Sequence, residues 1–335
     1  MTDRTRSLYF DRPGSVTVRE ERPPTPDAGE ALVETVVSGV SPGTELLVYR
    51  GEVPEELAVD ETIDTLDGRF DYPVQYGYAA VGRVREVGDG VDPDWRDRLV
   101  FGFNPHESHF CASPDQLRPV PDDIEPTTAT LFPTAETAVN FVLDATPRVG
   151  ERVVVFGAGP VGLTTTAVLS PFPLDALVVV DPVARRREAA ERLGATETLR
   201  PSDVAPLGDR GDPPGMDLAV EVSGEPAALD DAVDAVGYDG RVVVGSWYGT
   251  KPAELALGGH FHRGRVDLKS SQVSTLSPAL RGRWTRERRM DRAVEVVREH
   301  ALDRLVTHRV PIEDAATAYE TLAADREALS VVFTY

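Results

Sequence analysis

The chain has 335 residues, with 56 acidic side chains against 35 basic ones and a net charge of −21. That length suits two domains better than one core, and no apolar run approaches the roughly 20 residues needed to cross a bilayer. So negative a surface repels phosphate backbones and anionic lipid, which argues against nucleic-acid and membrane partners and leaves a small-molecule substrate as the expected one.

The N-terminal residues 1–15 lack a cationic start followed by an apolar stretch, so the expected location is the cytoplasm. Valine-rich runs at 31–40 and 79–88, and a short one at 98–103, predict strands bounded by Gly, Pro and Asp. Residues 52–71 are acidic and aperiodic and read as a surface excursion. From Thr134 the texture changes: 136–145 has helical spacing, and strands at 152–157, 176–181, 217–224 and 241–247 alternate with helices at 160–169, 183–195 and 226–237. Such alternation implies a doubly wound parallel sheet. Helices at 290–300 and 314–325 and a strand at 329–335 complete the chain. The fold class is therefore α/β. A dinucleotide-type unit over 136–269 is expected to interrupt a β-rich domain made of 1–135 and 270–335.

Strand 152–157 runs into Gly157-Ala158-Gly159-Pro160-Val161-Gly162, a G-x-G-x-x-G turn. Gly157 permits the tight turn, Gly159 lets backbone approach a pyrophosphate, and Gly162 lets the helix pack on the strand. The helix start at Pro160 and Val161 offers N–H groups and a positive dipole end to phosphate. The next strand ends in Asp181, about where a ribose-binding carboxylate belongs. A carboxylate there favours NAD(H) over NADP(H), whereas Arg185, Arg186 and Arg187 leave NADP(H) possible.

The domain order and these motifs resemble the medium-chain dehydrogenase/reductase superfamily, which implies a GroES-like catalytic domain and an inserted Rossmann domain. Stretches 38–51, 72–84, 100–110 and 270–274 look like the branch containing bacteriochlorophyllide-type ring-substituent dehydrogenases. Many members hold zinc through C-G-T-D, G-H-E-x-x-G and a later Cys. Here the first run reads Pro42-Gly43-Thr44-Glu45, the second Gly77-Tyr78-Ala79-Ala80-Val81-Gly82, and the third position falls on Pro133 or Thr134. None is a zinc donor of the Cys or His type, and the lone Cys111 excludes a cysteine-built site. The expectation is a zinc-independent member with no metal.

Proton handling then falls to hydroxyl or imidazole groups. Thr44 matches the relay hydroxyl, or is a turn residue. Tyr78 stands where a ligand histidine would be, either as a phenol donor or as a packed aromatic. His106 is a general-acid candidate, or binds loop backbone. His109 and Phe103 are placed at the substrate pocket. Glu136 also lines it, unless it only favours a helix start. The resemblance puts Thr137, Gly224, Gly245, Ser246, Ser271 and Gln272 along the cofactor. The reading is an NAD(H)-dependent oxidoreductase interconverting a secondary alcohol and a ketone on a bulky or ring-bearing molecule, as a homodimer. Two alternatives are reduction of an activated C=C bond and a non-catalytic dinucleotide sensor or scaffold.

Only Lys251 and Lys269 are lysines, the remaining cations being arginine. A lysine-poor acidic surface suits a salty cytosol, where counter-ions screen the repulsion. The melting temperature should therefore rise between low and molar KCl; equal or greater stability in low salt would contradict salt adaptation.

Overall fold

The computed structural model describes residues 4–60, 62–63 and 65–335. It divides into two compact units, one of residues 1–133 with 301–335 and one of 134–300.

In the second unit six parallel strands run in the order Glu197–Leu199, Ala176–Val180, Arg152–Phe156, Met216–Glu221, Val236–Val244, Asp267–Ser270. Val153–Phe156 and Leu177–Val180 are buried throughout, as strands covered on both faces must be. The strand order reverses on either side of Arg152–Phe156, so the crevice beyond the carboxyl ends of that strand and Met216–Glu221 is the place where such sheets bind ligands. Helices Pro160–Leu169, Ala184–Arg192 and Pro226–Ala235 connect the strands. The strand expected at 241–247 starts at Val236 and stops at Val244. Its pairing shifts between Val236 and Arg241, where Asp239 adopts a φ of 58°.

The chain returns to the first unit at Ala301, not at residue 270. The cause is a buried ion pair. Arg289, on helix Arg286–Glu299, is 2% exposed and donates to Glu136 Oε1 at 2.9 and 3.0 Å and to Asn140 Oδ1 at 2.7 Å, both on helix Phe132–Ala145. That anchors residues 270–300 to the second unit.

The first unit is built on a sheet with strand order Val306–Pro311, Ser330–Thr334, Ala31–Gly39, Ala80–Val87, Leu99–Gly102, Leu117–Pro119; His109–Ala112 also pairs with Ala31–Gly39. A hairpin, Thr5–Arg12 with Ser15–Glu21, packs beside it. The 52–71 stretch is more than a surface excursion: Val59, Leu66 and Phe70 are buried in the same core as Leu8, Phe10 and Tyr319. Among the described residues no helix is long and apolar enough to cross a membrane.

Truncating one partner of a buried ion pair strands the other, at a cost of about 3–5 kcal/mol. Arg289→Ala should lower unfolding stability by about that amount in a denaturant titration; a loss under about 1 kcal/mol would show that the pair does not hold the helices together.

Candidate functional site

The glycine turn has the geometry its spacing predicts. Gly157 has φ of 100°, and a Cβ there would lie 2.6 Å from the Ser223 Cα. A Cβ on Gly162 would lie 1.9 Å from the Gly157 carbonyl oxygen, so helix and strand touch through bare backbone. A Cβ on Gly159 would meet nothing within 4 Å. Its open side is where a pyrophosphate can approach. Helix Pro160–Leu169 starts there with no side-chain cap, leaving its first N–H groups for an anion. Asp181 is 3% exposed, and its oxygens accept from Ala158 N–H and Val183 N–H, both at 2.8 Å. Those bonds lock the carboxylate beside the turn. Arg187 is committed to structure, donating to the Asp181 and Pro182 carbonyls at 2.7 and 3.0 Å. Arg186, the residue before it, is half-buried. The residues present thus fit a dinucleotide.

A buried acid organises the next strand ends. Glu221 is 0% exposed and accepts from Ser223 N–H at 2.8 Å and from the Ser223 and Tyr248 hydroxyls. Burial, then the Glu221 charge, pushes the Tyr248 phenol far up. The Glu221 carbonyl accepts from Gly245 and Ser246 N–H. Ser246 Oγ accepts from Gly224 N–H at 2.8 Å, and Lys251 caps the Gly224 carbonyl at 2.6 Å. Gly245 must lack a side chain, since a Cβ would sit 2.3 Å from the Phe141 ring. Glu221 went unread in the sequence, although an acid directly after the apolar run Leu218–Val220 was the available signal.

Residues 271–274 are also fixed from within the second unit. Ser271 Oγ donates to Asp144 Oδ2 at 2.6 Å and accepts from Asn140 Nδ2 at 3.0 Å; Lys269 pairs with Asp144 at 2.9 Å. Arg289 donates to the Val273 carbonyl at 2.6 Å. The Gln272 side chain folds onto Ser274. Glu136, expected at the substrate pocket, is spent on Arg289. Thr137 is half-buried one residue further along the same helix.

In the first unit Tyr78 and Thr44 do come together. Burial raises the Tyr78 pKa, while the Ser41 and Thr44 side chains beside the phenol pull it the other way. Phe103 is half-buried against Phe101, and its carbonyl accepts from Thr65 Oγ1 at 2.8 Å. His106 does not join this group as a free acid. It is 0% exposed, with Nδ1 2.7 Å from Ser38 Oγ and Nε2 3.0 Å from Glu45 Oε2. No face of it is left for a substrate. His109 lies on an outer strand instead, bonded to Ser108 Oγ at 3.0 Å, and burial lowers its pKa. Glu45 and Tyr319 were missed because their partners are remote in sequence.

The residues at the family's zinc-ligand positions do not fit zinc. Pro42, Tyr78 and Pro133 or Thr134 supply no thiolate or imidazole, and among the described residues no three His, Cys, Asp or Glu side chains converge on a metal position.

Comparison with known proteins agrees with the fold. Residues 160–289 match the family model described as zinc-binding dehydrogenase. The chain is 28% identical to L-threonine 3-dehydrogenase of Pyrococcus abyssi, over 70% of this chain and 72% of that one. It is 25% identical to 5-exo-hydroxycamphor dehydrogenase of Pseudomonas putida, over 89% of this chain and 90% of that one. The NADH complex of the alcohol dehydrogenase RspB from Escherichia coli CFT073 superposes with a TM-score of 0.80 at 20% identity, covering 99% of this chain and 100% of that one.

Beside His106, the Glu107 carboxyl is pushed up to about 7, chiefly by burial, with Glu21 adding repulsion. Its folded pKa lies above the ordinary 4.5, so the stability it contributes is full below about 4.5 and is lost as pH rises through about 7. Glu107→Gln should remove this dependence. At pH 8 the variant should unfold about 1–3 kcal/mol later than the parent, whereas parallel pH–stability curves would contradict it.

Proposed function

We propose that this chain is a medium-chain dehydrogenase/reductase, an oxidoreductase acting on CH–OH donors, and that it is a zinc-independent, NAD(H)-preferring enzyme that interconverts a secondary alcohol and a ketone on a bulky or ring-bearing molecule. The observation that supports this most is an intact dinucleotide turn in a chain whose Tyr78 phenol stands at a ligand position with Ser41 and Thr44 beside it. The camphor-type substrate named for the Pseudomonas putida relative supports a ring-bearing substrate.

When bound, the nicotinamide supplies or takes up the hydride. The second unit's residues do the holding: the Pro160 helix start takes the pyrophosphate and Asp181 accepts from the ribose hydroxyls. Tyr78 replaces a Lewis acid with a hydrogen bond. In ketone reduction its Oη–H polarises the carbonyl and gives up the proton, which a proton taken from solvent replaces by way of the Thr44 and Ser41 hydroxyls. In alcohol oxidation the proton returns along the same hydroxyls. The unpaired outer edge of the Asp267–Ser270 strand supports assembly as a homodimer.

Tyr78→Phe should lower kcat by about 100-fold or more while NADH affinity stays within about twofold; unchanged kcat would overturn the role of Tyr78. Fluorescence titration should show tighter binding of NADH than of NADPH. Asp181→Ala should weaken NADH by about tenfold and narrow that gap, whereas tighter NADPH binding in the parent protein would contradict the preference.

A further inference from the structure

Glu45 carries a carboxylate with no exposure at all, in a protein most of whose acids lie at the surface. A buried charge is tolerated only when several donors compensate it. Glu45 has three: Ser41 N–H at 2.7 Å on Oε1, and His106 Nε2 at 3.0 Å with the Tyr319 hydroxyl on Oε2. A carboxylate can only accept, so His106 carries its proton on Nε2. His106 Nδ1 is hydrogen-bonded to Ser38 Oγ, 2.7 Å away. Ser38 Oγ in turn shares a hydrogen bond with the Tyr335 hydroxyl at 2.8 Å.

The row joins four segments far apart in sequence: 38–45, residue 106, Tyr319 and Tyr335. Both candidate hydroxyls are one residue away from it. Thr44 precedes Glu45. Tyr78 follows Gly77, which has φ of 111° and lies so flat on the imidazole that a Cβ would sit 2.6 Å from His106 Nε2. His106 N–H also points to the Tyr76 carbonyl at 3.4 Å.

We propose that Glu45, acting with His106 and Tyr319, is the positioning residue of the reaction centre: the buried carboxylate–imidazole row clamps the Thr44 turn and the Tyr78 strand entry together in a chain that lacks a zinc donor set. This rests on the reading that Thr44 and Tyr78 handle the proton. Glu45 touches no substrate. It acts by holding the first turn of helix Pro42–Arg50 so that Ser41 and Thr44 stay beside the Tyr78 phenol.

The test compares Glu45→Gln, Glu45→Asp, Tyr78→Phe and the Glu45→Gln/Tyr78→Phe double variant in the full chain. Readouts are steady-state kinetics with NAD+ on the best-turned-over alcohol of a secondary-alcohol panel, NADH affinity by fluorescence, zinc content, and amide exchange over 38–50, 72–84 and 104–110. Glu45→Gln should lower kcat by about 10–100-fold, with KM and NADH affinity within about threefold. Glu45→Asp should recover part of the loss. Amide exchange should rise together in all three segments, a readout that does not depend on turnover. Because Glu45 acts through Tyr78, the double variant should be no slower than Tyr78→Phe alone. Additive losses, a folded and fully active Glu45→Gln, exchange confined to one segment, or stoichiometric zinc lost on substitution would each overturn the proposal. If Glu45→Gln does not fold, Tyr319→Phe, which removes one donor and keeps the carboxylate, takes its place with the same outcomes expected in smaller measure. Full activity of Tyr78→Phe would instead strike the functional reading, while the exchange data still decide whether Glu45 clamps the three segments.

Discussion

A carboxylate with no access to water must be surrounded by donors, and this requirement at Glu45 shapes the first unit around the reacting groups. Meeting it recruits the Ser41 backbone, a histidine from the 104–107 loop and a tyrosine from the Ala315–Ala324 helix. Each donor brings its own segment. The sheet alone would place these segments near one another without fixing the turn at Thr44. The carboxylate sets that turn to within hydrogen-bond tolerance, and the clustering of Ser41, Thr44 and Tyr78 follows from it.

The second unit solves a similar problem twice. Glu221 at one strand end gathers Ser223, Tyr248 and the Gly245–Ser246 backbone. Arg289 gathers Glu136, Asn140 and the Val273 carbonyl. In both cases a buried charge is satisfied by groups on several elements, and the loops at the carboxyl edge of the sheet become rigid as a result. Even the two lysines the chain retains are used this way, Lys251 on the Gly224 carbonyl and Lys269 on Asp144. A surface otherwise depleted of lysine keeps them where an ammonium fixes a loop.

Local patterns were legible in the sequence, and long-range pairings were not. The valine runs and glycine turn predicted helix Pro160–Leu169 and the strand before it, because period, caps and glycine positions are local properties. The convergence of Thr44 with Tyr78 followed from the motif positions. The roles of His106, His109 and Glu136 depended on what faces them. His106 meets Glu45 across 61 positions and Arg289 meets Glu136 across 153, and no periodicity encodes such meetings. The same ion pair explains why residues 270–300 stay with the second unit. The 52–71 stretch misled through its acidity: its apolar Val59, Leu66 and Phe70 are spaced for contact with a core, not for regular structure.

The central claim is that hydroxyl groups held by a buried carboxylate do in this chain what a metal does where a zinc donor set exists. The most direct measurement is NAD+-dependent turnover of a secondary alcohol by protein dialysed against a strong chelator, with zinc counted by elemental analysis on the same sample. Undiminished turnover with far less than one zinc per chain is the predicted result. Turnover that vanishes with the metal and returns with added zinc would contradict it.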